Sequence, residues 1–275
     1  MTAITVIAIL AAAATIYGFV AMDSCERVKV APKGKKKKYQ VQEVPETGIL
    51  FMVVMAVALI VRYIAAAKYF GNETDMNCFI AWGDMIFKDG IGNFYSSDSF
   101  TDYPPGYMYI LYMVGAIRHV LGVAWNSTLS VMLTKTPAII ADLATAYLLF
   151  RIAGKRWTQK GAGILTAIYL FAPAVLLDGA IWGQTDAVFT FFVVLMIYLV
   201  TERKLIPSYF VFAVAVLVKP QSLIFTPVLI YGIIDQVFLD GFDWKNFWKN
   251  LGLGLAAIAM IALLMLPFGF KDALS

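Results

Sequence analysis

Long apolar runs alternate with short polar stretches along most of the chain. Residues 2–22, 47–70, 129–152, 164–177, 187–200, 205–218, 223–234 and 251–267 are each dominated by apolar side chains. A membrane-spanning helix takes about 20 apolar residues. The pattern therefore predicts an all-α protein, a polytopic transmembrane helical bundle of about eight spanning segments. Residues 71–127 interrupt it. They begin with Glu73, Asp75, Asp84, Lys88 and Asp89, pass through Gly90 and Gly92, and reach Asp102-Tyr103-Pro104-Pro105-Gly106. An aromatic, amphipathic stretch follows over 107–123 and carries Arg118 and His119 near its end. It reads as a helix lying on or dipping into the outer leaflet, so the long loop holds juxtamembrane helices.

Composition agrees with the bilayer as solvent. Of 275 residues, 61% are hydrophobic and 15% charged, with a mean hydropathy of +0.76. Soluble domains carry about 25% charged residues. The net charge of +4 does not point to nucleic acid, because the basic residues sit in short loops between apolar runs, where they set topology.

The first run has a rival reading as a secretory signal peptide, but it lacks a positive n-region. Its positive charge follows instead, in Arg27, Lys29, Lys33, Lys35, Lys36, Lys37 and Lys38. That loop is expected to be cytoplasmic, which places the N-terminus outside. Binding to anionic lipid and simple solvation are alternative readings of the same loop. If 107–123 does not cross, 129–152 runs inward and delivers Arg151, Lys155, Arg156 and Lys160 to the cytoplasm. Glu202, Arg203 and Lys204 and the linker 235–250 then also lie inside. A crossing at 107–123 would invert everything after it and put the basic cluster 151–160 outside.

Cys25 and Cys78 are separated by one span and so face opposite compartments, which argues against a disulfide between them. His119 is the single histidine. It excludes a His-rich metal site and reads as a hydrogen-bonded interface residue.

On this topology four polar groups gather on the face away from the cytoplasm. They are Asp75 with Asp84, the 102–106 segment, Trp182-Gly183-Gln184-Thr185-Asp186, and Lys219-Pro220-Gln221. Each has a bland reading. The Pro-Pro-Gly starts a helix or turn, Trp182 is an interfacial anchor, Asp186 is an N-cap and Asp75 caps a helix beginning near Met76. Asp142 lies deep in a span, where an ionisable group is costly and is functional or paired. Lys135, seven residues earlier, shares its face without reaching it.

Several blocks carry a family resemblance. Thr74-Asp75-Met76-Asn77-Cys78-Phe79 and Asp102-Tyr103-Pro104-Pro105-Gly106-Tyr107 resemble the first external loop of GT-C superfamily glycosyltransferases that use polyprenyl-phosphate sugars. The nearest likeness is to prokaryotic relatives of the GPI-anchor second mannosyltransferase. Lys135-Thr136-Pro137-Ala138-Ile139-Ile140-Ala141-Asp142, Ile181-Trp182-Gly183-Gln184-Thr185-Asp186-Ala187 and Leu217-Val218-Lys219-Pro220-Gln221-Ser222 are similar to further blocks, in the same order. The resemblance divides the chain into 1–46, an extra N-terminal transmembrane helix with its basic cytoplasmic loop, and 47–275, a GT-C-like module truncated at its C-terminus. Family members are usually longer, so the expectation is a fragment, or a partner that supplies the C-terminal half.

The resemblance implies a membrane glycosyltransferase that moves a hexose, such as mannose, from a polyprenyl-phosphate donor to an acceptor hydroxyl with inversion. A phosphodiester leaves without a strong general acid. The enzyme supplies one base for the acceptor hydroxyl and cationic or hydrogen-bonding groups for the developing phosphate charge. Asp75 matches the family's base. Lys219 and Lys135 are the expected phosphate partners. Gln184, Asp186 and Gln221 are expected to bond sugar hydroxyls, and Asp102 to help complete the site. Trp182 or Tyr103 would stack on a sugar ring or an isoprenoid. The implied partners are the lipid-linked donor, a glycan or lipid-linked acceptor and membrane lipids, with no nucleic acid. The implied location is the plasma membrane of a prokaryote, with the active face extracytoplasmic. No cofactor is predicted. A divalent metal is possible but unsupported, since no acidic pair has clear divalent-ion spacing, although Asp75 and Asp84 could meet in the fold. Two rivals stand beside the enzyme: a non-catalytic GT-C-like lipid-binding or assembly subunit, and a lipid or sugar flippase. The flippase predicts inverted repeats and mid-span polar breaks, and no repeat is found.

Overall fold

The computed structural model describes residues 45–95, 100–155, 157–238 and 241–269, and their regular elements are all helical. The apolar run 2–22, the basic loop with Cys25, Arg156 and residues 270–275 lie outside the described residues. Ten helices, counted among the described residues, carry the fold. They are α1 (Pro45–Lys68), α2 (Glu73–Asp89), α3 (Pro105–Val120), α4 (Thr128–Ala153), α5 (Gln159–Phe171), α6 (Pro173–Trp182), α7 (Asp186–Thr201), α8 (Leu205–Val218), α9 (Thr226–Val237) and α10 (Trp244–Met265). Short polar residues start several of them by accepting from the first free amides. Asn72 accepts from Asp75 N (3.1 Å), Ser127 from Ser130 N (3.2 Å), Thr158 from Gly161 N (3.2 Å), and Asp243 from Lys245 N and Asn246 N. Pro105 opens α3, where its missing N–H costs nothing.

Three larger apolar clusters join the helices. Met76, Phe79, Ile80, Ile86, Tyr107 and Leu111 join α2 and α3 to α4, α7 and α8. Val54, Ala58, Ala146 and Leu170 join α1, α4 and α5. Met196, Tyr209, Phe212, Leu229 and Ala257 join α7 to α10. Within the long loop, Phe79 meets Tyr107, Gly83 lies against Gly115 and Asp84 reaches Arg118. Residue numbers rise together on both helices, so α2 and α3 run in the same sense, and the chain is back beside α2 at Phe100. Trp82 Nε1 holds that return by donating to Phe100 O (3.1 Å). The two N-termini therefore share one end and the two C-termini the other.

Among the described residues, three helical stretches are long and apolar enough to cross a membrane: Phe51–Lys68, Thr128–Ala153 and Trp244–Phe268. A fourth is obtained if α5 and α6, bent by 47°, count as one broken span. Seven of the eight predicted runs fall within the described residues, and fewer than seven are long and apolar enough, for local reasons. The run 164–177 breaks at Pro173, which cannot donate to the preceding turn. Helices α7 and α8 are apolar but have 16 and 14 residues. They rise about 24 and 21 Å, short of a hydrocarbon core of about 30 Å. The run 223–234 opens as a 3₁₀ turn, Pro220–Phe225, before α9. In contrast, α10 starts at Trp244, earlier than residue 251, because Asp243 caps it. Exposed Ile60 and Ile64 on α1, and Leu255, Ile258 and Leu263 on α10, face outward. An apolar exterior of this kind suits lipid and not water.

Candidate functional site

Helices α1, α6 and α8 end, and α2, α3 and α7 begin, at one end of the bundle, and the predicted site residues collect there. Asp75 Oδ2 accepts from Trp182 Nε1 (2.8 Å) and from Gln184 Nε2. Gln184 Oε1 accepts in turn from Tyr103 Oη (3.3 Å). Tyr95 Oη donates to Tyr103 O (2.8 Å) and fixes the segment ahead of α3. Burial pushes the Tyr103 phenol above its ordinary pKa, so it stays a donor. Lys219 Nζ pairs with Asp186 Oδ1, and its ammonium lies 5.5 Å from the Phe189 ring centroid. Trp182 is 46% exposed and presents its ring at the surface of the cluster.

Backbone close approach makes the cluster. Gly71 has φ +102°, and a Cβ there would stand 2.3 Å from Trp182 O. Gly183 has φ +89°, and its Cβ would meet Met76 Sδ at 2.6 Å. A side chain at Gly71 would collide with the backbone carrying Trp182, and one at Gly183 would displace the Met76 side chain. The carbonyl of Asp178, in the π-helical turn Leu176–Trp182, accepts from Gly183 N (3.0 Å) and Gln184 N (3.1 Å). This closes the turn that presents Gln184. Wide turns of this type recur at functional sites.

The remaining predicted residues fall differently. Lys135 is buried, and its ammonium donates to Tyr69 O (2.7 Å), Ile181 O (2.7 Å) and Ala180 O (3.3 Å). It ties α4 to the ends of α1 and α6 beneath the cluster. Asp102 and Gln221 are exposed and joined to the cluster by no hydrogen bond among the described residues. Asp102 does lie near Cys78. Burial, then the Asp102 and Asp75 carboxylates, push that thiol above its ordinary pKa.

One bland reading changes, the paired reading of Asp142 holds, and one possible meeting does not occur. Asn72, not Asp75, caps α2, which leaves the Asp75 carboxylate to Trp182 and Gln184. Asp142 pairs with Arg62 (3.2 Å), both fully buried, and accepts from Tyr169 Oη (3.3 Å). Arg62 within an apolar run was the signal for this, since a buried guanidinium requires a carboxylate. Asp84 does not meet Asp75. It binds Arg118 (2.9 Å) and lies 3.3 Å from His119 Nε2. Among the described residues no group of three or more His, Cys, Asp or Glu is placed to hold a metal ion.

A family model described as GPI transamidase subunit PIG-U matches residues 83–274. The chain belongs to this family. The match takes in Asp102, Tyr103, Lys135, Trp182, Gln184, Asp186, Lys219 and Gln221, and begins downstream of Asp75. No curated protein and no solved structure matches. The sequence resemblance thus holds at the level of a GT-C-like membrane family, but the family is a transamidase subunit and not a mannosyltransferase. Family and apolar helices together make the chain an integral membrane protein.

Proposed function

We propose that this chain is a non-catalytic, GT-C-like subunit of a membrane assembly that holds the glycan head of a lipid-linked glycan at the Asp75–Gln184–Trp182 cluster. Membership of a family described as a transamidase subunit supports a role within an assembly. The observation that carries the reading is how the two candidate phosphate lysines are used. Lys135 is spent on three backbone carbonyls and Lys219 on Asp186. A departing phosphate would have to break one of these arrangements. Carboxylate, amide and exposed indole, in contrast, suit sugar hydroxyls and a sugar face. Arg151, Lys155, Arg203 and Lys204 lie at the ends of α4 and α7 away from the cluster, which supports a site facing away from the cytoplasm.

The test is binding of a glycosylphosphatidylinositol head-group analogue to the full chain in nanodiscs. Asp75→Asn and Trp182→Ala are each expected to weaken binding at least about tenfold, the scale of one charge-assisted hydrogen bond. Unchanged affinity in both removes the cluster as the site.

A second reading, sugar transfer with Asp75 as general base, is favoured by one detail: both donors sit on Oδ2, and Oδ1 takes no hydrogen bond among the described residues. Transfer from radiolabelled polyprenyl-phosphate mannose that falls about 10²–10⁴-fold in Asp75→Asn would establish it. The non-catalytic reading expects no transfer by wild type.

A further inference from the structure

A second polar cluster lies at the opposite end of the α2–α3 pair, where both helices finish. A half-open cavity of about 280 Å³ is lined there by Asp84, Lys88, Arg118, His119, Val123 and Trp125. Arg118 is 3% exposed. Its Nη1 donates to Asp84 Oδ1 (2.9 Å) and weakly to Ile80 O (3.4 Å), while its buried Nε has no partner among the described residues. His119 Nε2 lies 3.3 Å from the same Asp84 oxygen but is not aligned to donate to it, and is likewise unsatisfied. One carboxylate therefore stands against Arg118, Lys88 and a histidine. Burying an unpaired guanidinium N–H is costly, and Arg118 lines a cavity with room for an acceptor.

The rim has a different chemistry. The Arg118 guanidinium lies 5.8 Å from the ring centroid of Trp125, and Phe87 stacks on His119 at 4.7 Å. Beside them Ile117, Val120 and Leu121 are exposed, Val120 at 82%. Arginine, lysine and histidine match phosphate oxygens, while exposed aliphatics and an indole suit the boundary between headgroup and acyl chain. We infer that this cavity binds the phosphate of an anionic phospholipid, with the acyl chains on the apolar rim of α3. The site is separate from the Asp75 cluster and does not depend on it.

The full chain in detergent micelles is titrated with dihexanoyl phosphatidylglycerol, dihexanoyl phosphatidylcholine and inorganic phosphate, and binding is followed by native mass spectrometry. Phosphatidylglycerol is expected to bind at least tenfold tighter than phosphatidylcholine. Lys88→Glu, at an exposed position, is expected to weaken phosphatidylglycerol at least tenfold and to leave glycan-head binding unchanged. Asp84→Asn, which removes the counter-charge, is expected to tighten it severalfold. If that variant fails to fold, Lys88→Glu alone decides. Equal affinity for the two lipids, or no effect of Lys88→Glu, overturns the site. Inorganic phosphate binding as tightly as phosphatidylglycerol overturns the lipid assignment.

Discussion

At the scale of single residues, what each polar group touches separates structural from functional roles. Asn72 takes the capping role, so the Asp75 carboxylate faces the neighbouring turn. Lys135 is a strut: its ammonium joins three backbone carbonyls, one just past the end of α1 and two in α6. Lys135→Met is expected to lower stability by at least about 1.5–3 kcal/mol, the worth of one charge-assisted hydrogen bond. Thermal denaturation in detergent measures this, and a Tm unchanged from wild type would free Lys135 for a ligand. Cys78 reports on the site directly. Nearby Asp102 and Asp75 raise its thiol pKa behind burial, so removing either charge lowers that pKa and increases the reactive thiolate at neutral pH. In a Cys25→Ser background, Asp102→Asn and Asp75→Asn are expected to speed maleimide labelling of Cys78 severalfold. Slower labelling in both would contradict the placement of Asp102 beside Cys78.

At the scale of elements, breaks in the helices build the site. The α5–α6 bend at Pro173 and the π-helical turn after it lead to the Gly183 turn and Gln184. Gly183→Ala places a side chain at positive φ, a strain of about 1–3 kcal/mol, and also displaces Met76. Its expected outcome is a lower Tm together with weaker head-group binding. Loss of stability without loss of affinity would detach the turn from the site. The chain's pattern predicted most of these elements. Helices α4, α7 and α8 begin and end within a residue or two of the apolar runs that suggested them. The pattern could not predict which runs reach across a bilayer. Apolarity reports burial in protein or lipid alike, while helix length depends on Pro173, on the 3₁₀ turn at Pro220 and on the cap at Asp243.

At the scale of the whole molecule, one buried ion pair links the spans. Arg62 of α1 and Asp142 of α4 meet with Tyr169 and the Leu170 carbonyl of α5. Breaking such a pair leaves an uncompensated charge at a cost of about 3–5 kcal/mol. Arg62→Met and Asp142→Leu are each expected to destabilise on this scale, with the double variant far closer to wild type. Additive losses in the double-mutant cycle would show that the pair is not coupled.

The sequence by itself determined that the chain is helical and lives in a membrane, because these follow from the length and composition of its apolar runs. It also marked the polar blocks at the turns, since charged residues beside apolar runs are conspicuous in one dimension. Only the tertiary structure decided which blocks meet. Asp75 and Gln184 are 109 residues apart, and Arg62 and Asp142 are 80 apart. Their partners were settled by helix packing and by backbone contacts at Gly71 and Gly183, which leave no pairing signal in the local pattern. Asp84 cannot reach Asp75 because both lie on α2, about 14 Å apart along its axis, and the parallel course of α2 and α3 is what brings Arg118 to it.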